Sequence, residues 1–527
     1  MDRNNAILSL READVLWDVI VIGGGASGLG AALEAATRGY KTLLLEQDDF
    51  AKGTSSRSTK LVHGGVRYLA KGNISLVLKA LKERGRLKLN APHLVKDQPF
   101  VIPCYSYWCV PFYTIGLTLY DLMAGRLGIG RSVPLSKKGV SKALPAIKTS
   151  KLRGGVRYFD CQFDDARLAV NLAQTITEQG GVVINHMKVT GLHMVDGKVT
   201  GVEAADRETG KQYQLAAGAV INATGVFVDD ILKMEDPSTR DVVKPSQGIH
   251  LVMEREFLGD EALMIPKTSD GRVLFAVPWH NRVVVGTTDV EKQVAELEPV
   301  AEEEEIEYIL ETAGRFMERA PERKDVLAVF TGLRPLAAPS GEGKKTKEIS
   351  RGHKIMASKG GLVTITGGKW TTYRKMGEDV VNRAAKLAKL PARESVTSDL
   401  RIHGHLDEVD RSDPLYWYGS DRNQIDSLIT EDSELGDILS EKLNIKGAQI
   451  VWAVRMEMAR TVEDCLARRI RAIQLDAREC IRVAPRVAAI MARELGYDME
   501  WEKSQVKAIT ELASSSLLNK AAIIHSE

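Results

Sequence analysis

Cysteine is scarce in this chain of 527 residues: Cys104, Cys109, Cys161, Cys465 and Cys480, with no CxxC spacing. An odd number without ligand spacing excludes a disulfide framework and a zinc site, and reduced cytosolic thiols are expected. Excess charge of one sign is also lacking. Lys and Arg number 72 against 70 Asp and Glu, a formal net charge of +2, whereas a general nucleic-acid binder would carry a basic excess. Proline is sparse at 17 residues, and 44% hydrophobic with 27% charged residues excludes a disordered or fibrous chain. No run of about 18 apolar residues occurs, so no transmembrane helix is expected. Arg3, Arg11, Glu12, Asp14 and Asp18 interrupt every apolar run before the first glycines, so no signal peptide is expected and the protein is placed in the cytoplasm. Aromatics make up only 6% of the chain, yet residues 101–123 (VIPCYSYWCVPFYTIGLTLYDLM) gather Tyr105, Tyr107, Trp108, Phe112, Tyr113 and Tyr120. Such a cluster suits an anchor lying in a bilayer surface, or a buried strand and helix of a substrate domain; the buried reading is preferred.

What is present is glycine in patterned places. Residues 17–22 (WDVIVI) form an apolar run, Gly23-Gly24-Gly25-Ala26-Ser27-Gly28 follows, and an Ala/Leu-rich segment runs to Arg38 before Gly39. This predicts a buried strand, a tight turn, and a helix closed by a left-handed residue; KTLLLE (41–46) completes a βαβ unit. Gly23-x-Gly25-x-x-Gly28 is a phosphate-cradling turn: Gly23 makes the turn, Gly25 admits a pyrophosphate, and Gly28 lets the helix pack on the strand. Glu46, 18 residues after Gly28, is placed to accept hydrogen bonds from ribose hydroxyls and disfavours a 2′-phosphate. The fingerprint alone does not separate NAD from FAD. The segment GTSSRSTKLVHGGVRY (53–68) is too polar and glycine-rich for a core strand, and suits a loop along a second phosphate and a flavin ring. Asp164-Asp165 caps a predicted helix to about 179, a meander follows to strand 219–222, and Glu302–Glu305 opens helix 302–319 as a solvated face complementing the helix dipole. Strand 363–366, Gly367-Gly368 and helix 371–388 precede a shift at Pro391 to helical, charged sequence.

Taken in order, GGGASG, GTSSRSTKLVHGGVRYL, FDDARL (163–168), NATG (222–225), VPW…VVVGTTD (277–289), TGLRPL (331–336), TGGKWTTYRKM (366–376) and EMARTVEDCLARRIRA resemble the FAD-dependent, quinone-linked glycerol-3-phosphate dehydrogenase family. The resemblance implies a mixed α/β chain: a Rossmann-like FAD-binding domain interleaved with an antiparallel-sheet substrate domain, followed by an all-α cap. The expected boundaries are 15–100, 156–230 and 331–395 for the FAD-binding domain, 101–155 (with a membrane-contact segment) and 231–330 for the substrate domain, and 396–527 for the cap. The family has a Leu or similar residue where Trp370 stands here.

The resemblance also implies roles. Gly23, Gly25, Ala26, Ser27, Gly28, Glu46, Thr54, Ser55, Ser58, Thr59, Lys60, Leu61, Val189, Gly225, Gly368, Lys369 and Thr371 are expected around FAD. Arg67, Tyr68, Arg334 and Lys369 are expected around the substrate, because Arg forks hold phosphate oxygens bidentately. His63 and His250 are the candidate bases, with Arg334 as an alternative partner of the developing oxyanion. Tyr373 is a second candidate for the pocket wall, and Asp289 is expected to order a turn. The implied reaction is oxidation of sn-glycerol 3-phosphate to dihydroxyacetone phosphate, by hydride transfer from C2 to flavin N5. A quinone is the expected acceptor, with oxygen, as in a related oxidase, as the alternative. No nucleic-acid partner and no metal are expected; His403 and His405 (HGH) lack a Cys companion. Peripheral contact with the inner face of the cytoplasmic membrane and a homodimer are left open.

Overall fold

A computed structural model describes residues 1–11, 15–69, 72–268, 271–338 and 352–518. The fold class is the mixed α/β one expected. The strand Leu16–Ile22 lies at the centre of the first sheet, parallel to Thr42–Leu45 on one side and Gln212–Asn222 on the other. Val182–Ile184 and Val363–Gly367 extend it in parallel, and His353–Ala357 closes one edge antiparallel. The strands Met187–Val195 and Lys198–Asp206 hang from Gln212–Asn222 as the meander. Both faces of the central strand are covered, which is why it reads as a continuous apolar run rather than an alternating one.

The helix Ala26–Thr37 begins at the glycine turn and ends before Gly39, whose φ of +72° is the left-handed conformation expected there. Small residues let this helix approach its neighbours closely. A methyl group on Gly28 would lie 1.8 Å from the Gly23 carbonyl oxygen, and one on Gly377 of helix Tyr373–Leu387 would lie 2.2 Å from the Gly30 carbonyl oxygen.

The second sheet is mostly antiparallel. Its long strand Val243–Glu254 pairs with Arg282–Gly286 and with Val326–Ala337, placing His250 opposite Gly286 and Ser246 opposite Arg334. A further arm, Val95–Cys104 against Gly154–Phe163, carries the aromatic segment. The C-terminal part is helical, with Gly447–Glu457, Ala477–Leu495 and Met499–Ser515 as its main helices.

Two expectations are corrected here. Residues 101–104 finish a core strand, but the helix Cys109–Ala124 buries only Leu117 and Tyr120. Trp108 (84% exposed), Phe112, Ile115 (72%), Leu119 and Leu122 (73%) face outward at helical spacing, so the buried reading fails for this helix. Cys104 and Cys109 are joined in a disulfide, because the turn 105–108 folds back and brings their Cα atoms to 5.5 Å. Cys161, Cys465 and Cys480 are free and buried.

Candidate functional site

A cavity of about 590 Å³ opens at the carboxyl ends of the parallel strands and reaches across to the second sheet. It begins at the glycine turn: Gly23, Gly25, Ala26 and Ser27 line it. Gly23 has φ +107°, and a methyl group there would lie 2.8 Å from the Ala223 carbonyl oxygen, so the turn requires glycine. Gly28 is not in the wall; it serves the helix–strand packing argued from sequence. Glu46 lines the cavity at the end of the second strand, and its carboxylate accepts from the backbone N–H of Gly24 (2.6 Å) and of Asp48 (2.9 Å). Burial pushes its carboxyl up to about 7 despite those bonds. Val189, from the meander, and Gly225, with φ +64°, complete this end.

The loop after Gly53 supplies Thr54, Ser55, Ser58, Thr59, Leu61 and His63 to the wall. Several of its hydroxyls are already engaged with protein. Thr54 Oγ1 donates to the Leu333 carbonyl (2.5 Å), Ser58 Oγ donates to Asp165 (2.7 Å), and Ser55 Oγ accepts from the Ala26 N–H (2.9 Å). They therefore fix the loop as much as they offer themselves to a ligand. Lys60 departs from expectation: it is fully buried and points away from the cavity, donating to the Ser56 carbonyl (2.6 Å), Asp165 (2.8 Å) and Gln474 (3.0 Å). Burial lowers its ammonium below the ordinary value, against the pull of Asp165. The physical reason is that Asp165, a helix-opening carboxylate buried beside it, needs a cation more than the cavity does.

The second sheet brings in His250 and Arg334. His250 Nε2 shares a hydrogen bond with Thr59 Oγ1 at 2.9 Å, and its ring stacks on Phe330 at 4.8 Å. Opposite it in register, Gly286 has room for nothing larger, since a methyl group would lie 2.3 Å from His250 Cδ2. Burial, together with the nearby Arg334 and Lys60, holds His250 well below the ordinary imidazole value, so the ring is neutral. Arg334 donates through Nη1 to the Gln247 carbonyl (3.2 Å) and through Nη2 to Thr287 Oγ1 and the Thr288 carbonyl (both 3.0 Å).

From the third segment come Gly368, with φ +83°, Lys369 and Thr371. Lys369 Nζ lies 4.1 Å over the ring of Tyr68, which is not among the residues that line the cavity. Tyr373 is buried against Trp370 and is likewise not in the wall. Arg67 sits in the short helix Val66–Leu69, but its side chain lies outside the described residues. Trp370 lines the cavity and donates through Nε1 to the Ser55 carbonyl (2.7 Å), so the larger ring braces the loop. Asp289 accepts from Ser246 Oγ at 2.5 Å. His403 bridges Glu178 and Asp421.

Two contributors escaped sequence reasoning. Gly248 is in the wall because a methyl group there would lie 2.2 Å from Arg334 Nη2. Glu305, expected on a solvated face, is buried beneath the site while Glu303 and Glu304 are exposed. Alternation in SQGIHLV marks the first as a strand glycine; only the register of distant strands reveals the second.

The glycine turn, a buried acid at the end of the second strand and one cavity lined also by His250, Arg334 and Lys369 fit a dinucleotide with a reactive ring. Comparisons agree. Residues 18–374 match the family model of FAD dependent oxidoreductases, and residues 363–502 match that of the C-terminal domain of alpha-glycerophosphate oxidase. A mitochondrial glycerol-3-phosphate dehydrogenase of Arabidopsis thaliana is 36% identical, covering 99% of this chain and 89% of its own. The mitochondrial glycerol-3-phosphate dehydrogenase of Homo sapiens is 37% identical over 94% of this chain and 74% of its own. The solved structure of glycerol-3-phosphate dehydrogenase from Bacillus halodurans complexed with FAD superposes with a TM-score of 0.77, at 28% identity, over 98% of each chain. The chain belongs to the FAD-dependent glycerol-3-phosphate dehydrogenase family.

Proposed function

We propose that this chain oxidises the C2 hydroxyl of sn-glycerol 3-phosphate to the ketone of dihydroxyacetone phosphate, using FAD, and delivers the electrons to a quinone at a membrane surface. The observation that carries this reading is that His250, Arg334 and Lys369, from three separate segments, line the same cavity as the glycine turn. A phosphate near two negative charges calls for Arg and Lys; a secondary alcohol calls for a neutral base. Lys369 and Arg67 would hold the phosphate. The C2 hydroxyl proton passes to Nε2 of His250, the substrate hydroxyl taking the place that the Thr59 hydroxyl holds there at 2.9 Å, and Arg334 opposes the charge that develops on the oxygen. FAD, when bound, supplies the two-electron acceptor for the hydrogen at C2. Glu46 would take the ribose hydroxyls, and the N–H groups of residues 23–28 the pyrophosphate.

The membrane reading rests on the helix Cys109–Ala124. Its outward stripe (Trp108, Phe112, Ile115, Leu119 and Leu122) recurs every three or four residues. Exposed Arg126, Arg131, Lys137 and Lys138 follow, with Asp121 as the one acid between 105 and 142. An aromatic, apolar face followed along the chain by exposed cations fits the interface of an anionic bilayer, where a quinone is dissolved. No helix among the described residues is long and apolar enough to cross a membrane.

The test is anaerobic mixing of the purified protein with glycerol 3-phosphate. Loss of the oxidised-flavin absorbance is expected, followed by recovery on adding a short-chain quinone faster than on adding air. An unchanged spectrum overturns the substrate, and faster recovery in air, with peroxide formed, overturns the quinone.

A further inference from the structure

We propose that Glu305 is a positioning residue for Arg334 and His250, acting from beneath the site. It is 3% exposed, and its carboxylate is taken up by three neutral donors. Thr288 Oγ1 donates to Oε1 at 2.5 Å, while Gln247 Nε2 (2.6 Å) and the Glu302 N–H (3.2 Å) donate to Oε2. The backbone carbonyls of Gln247 and Thr288 both accept from the Arg334 guanidinium. One carboxylate thus ties together the side chains of both halves of the arginine's cradle. The tie extends further, because Thr288 Oγ1 also accepts the N–H of Ile249 (3.0 Å), the residue before His250.

The chemistry of the donors says why a carboxylate is needed. The Thr288 hydroxyl has one proton and two lone pairs: one lone pair takes the Ile249 N–H, and the proton goes to Glu305 Oε1. Gln247 and Glu302 both present N–H groups to Oε2 while Thr288 donates to Oε1, so as arranged residue 305 accepts three times and donates nothing. Glutamine has nearly the same shape, but with its oxygen kept for the two N–H groups its NH2 would face the Thr288 hydroxyl, which would have to turn and accept, reversing that link and leaving neutral bonds in place of charge-assisted ones. Opening the helix Glu303–Phe316 with a capping box accounts for the Glu302 contact alone; it does not call on Thr288 or Gln247. A carboxylate held inside by neutral donors is costly to bury, which fits retention for geometry rather than stability.

This inference rests on the proposal that Arg334 meets the substrate, and the experiment separates the two. Glu305→Gln, Arg334→Lys and the double variant are compared as FAD-loaded enzyme, reading kcat/KM for glycerol 3-phosphate, flavin absorbance and the unfolding midpoint. Glu305→Gln is expected to keep its flavin and midpoint yet lose roughly tenfold in kcat/KM, the low end of what orienting partners of a functional group are worth. In the Arg334→Lys background the same change should cost less than about twofold, since residues acting through one another are non-additive. Unchanged kcat/KM in Glu305→Gln, or an equal loss in both backgrounds, overturns the inference. Full activity in Arg334→Lys and Arg334→Ala overturns the underlying reading of Arg334 instead. Should Glu305→Gln fail to retain flavin, Thr288→Val removes the same tie from the other side and carries the same expectations.

Discussion

At the scale of single residues, the site separates groups by what surrounds them. His250 is buried with Arg334 and Lys60 nearby, so its proton-accepting form persists below the ordinary imidazole range. The acid limb of kcat/KM due to this base should therefore lie below about pH 6.5, the ordinary imidazole value. A pH profile falling already between 8 and 7 in the parent, and unchanged in His250→Asn, would remove His250 from the role. Glu46 is shifted the other way, to about 7. The ribose reading requires its ionised form, so a carboxyl that is protonated below about 7 before FAD arrives must lose its proton on binding. FAD affinity of the apoprotein should tighten as pH rises toward 7 and level off above it. Titrating apoprotein at pH 6 and 8 measures this, and Glu46→Gln should flatten the dependence. Glu46 and the glycines were legible in the sequence because a turn and its acid are local. The destination of Lys60 was not, since Asp165 lies 105 residues away and sequence assigned the lysine to the nearest ligand instead.

At the scale of elements, the βαβ unit, the capped helix Asp165–Glu178 and the helix after Gly367-Gly368 follow from apolar periodicity and glycine placement, which are short-range signals. The segment 101–124 was harder, because a continuous aromatic run has the same composition whether it faces a core or a bilayer. Its spacing decides once the element is known: Leu117 and Tyr120 face in, while Trp108, Phe112, Ile115 and Leu122 face out. If that outward stripe meets a bilayer, Trp108→Ser with Phe112→Ser should lower flotation with anionic vesicles while leaving flavin content unchanged. Equal flotation of parent and variant would return the helix to another partner. The Cys104–Cys109 disulfide ties the start of this helix to the end of a core strand, a pairing five residues apart that cysteine counting alone could not distinguish from two thiols.

At the scale of the whole molecule, a net charge of +2 conceals how charge is used. Asp49, next to the Glu46 loop, is buried between Arg468 and Arg469 of the helical cap, and Arg167 meets Glu457 through two hydrogen bonds of 2.7 and 2.6 Å. His186 and Asp464 add a further link at 2.8 Å. Partners lie up to 420 residues apart, which is why no local pattern announced them. Burial alone would raise Asp49, but Arg469 and Arg468 outweigh it and hold the carboxyl below its ordinary value. Its contribution is therefore present above the usual carboxylate range and is lost as pH falls through the folded-state value. Removing one partner of such a cluster leaves buried charge unpaired, at about 3–5 kcal/mol. Asp49→Ala should thus lower the unfolding midpoint and release FAD at the same lowered temperature, because the loop that docks the cap also carries Glu46 into the cavity. Added salt should not imitate the effect, since buried pairs are weakly screened. Arg323→Ala, which removes exposed pairs to Glu303 and Glu307, is the control and should cost less than about 1 kcal/mol. Equal midpoints for Asp49→Ala and Arg323→Ala in flavin-fluorescence melts would mean that the cap is held by its apolar face alone.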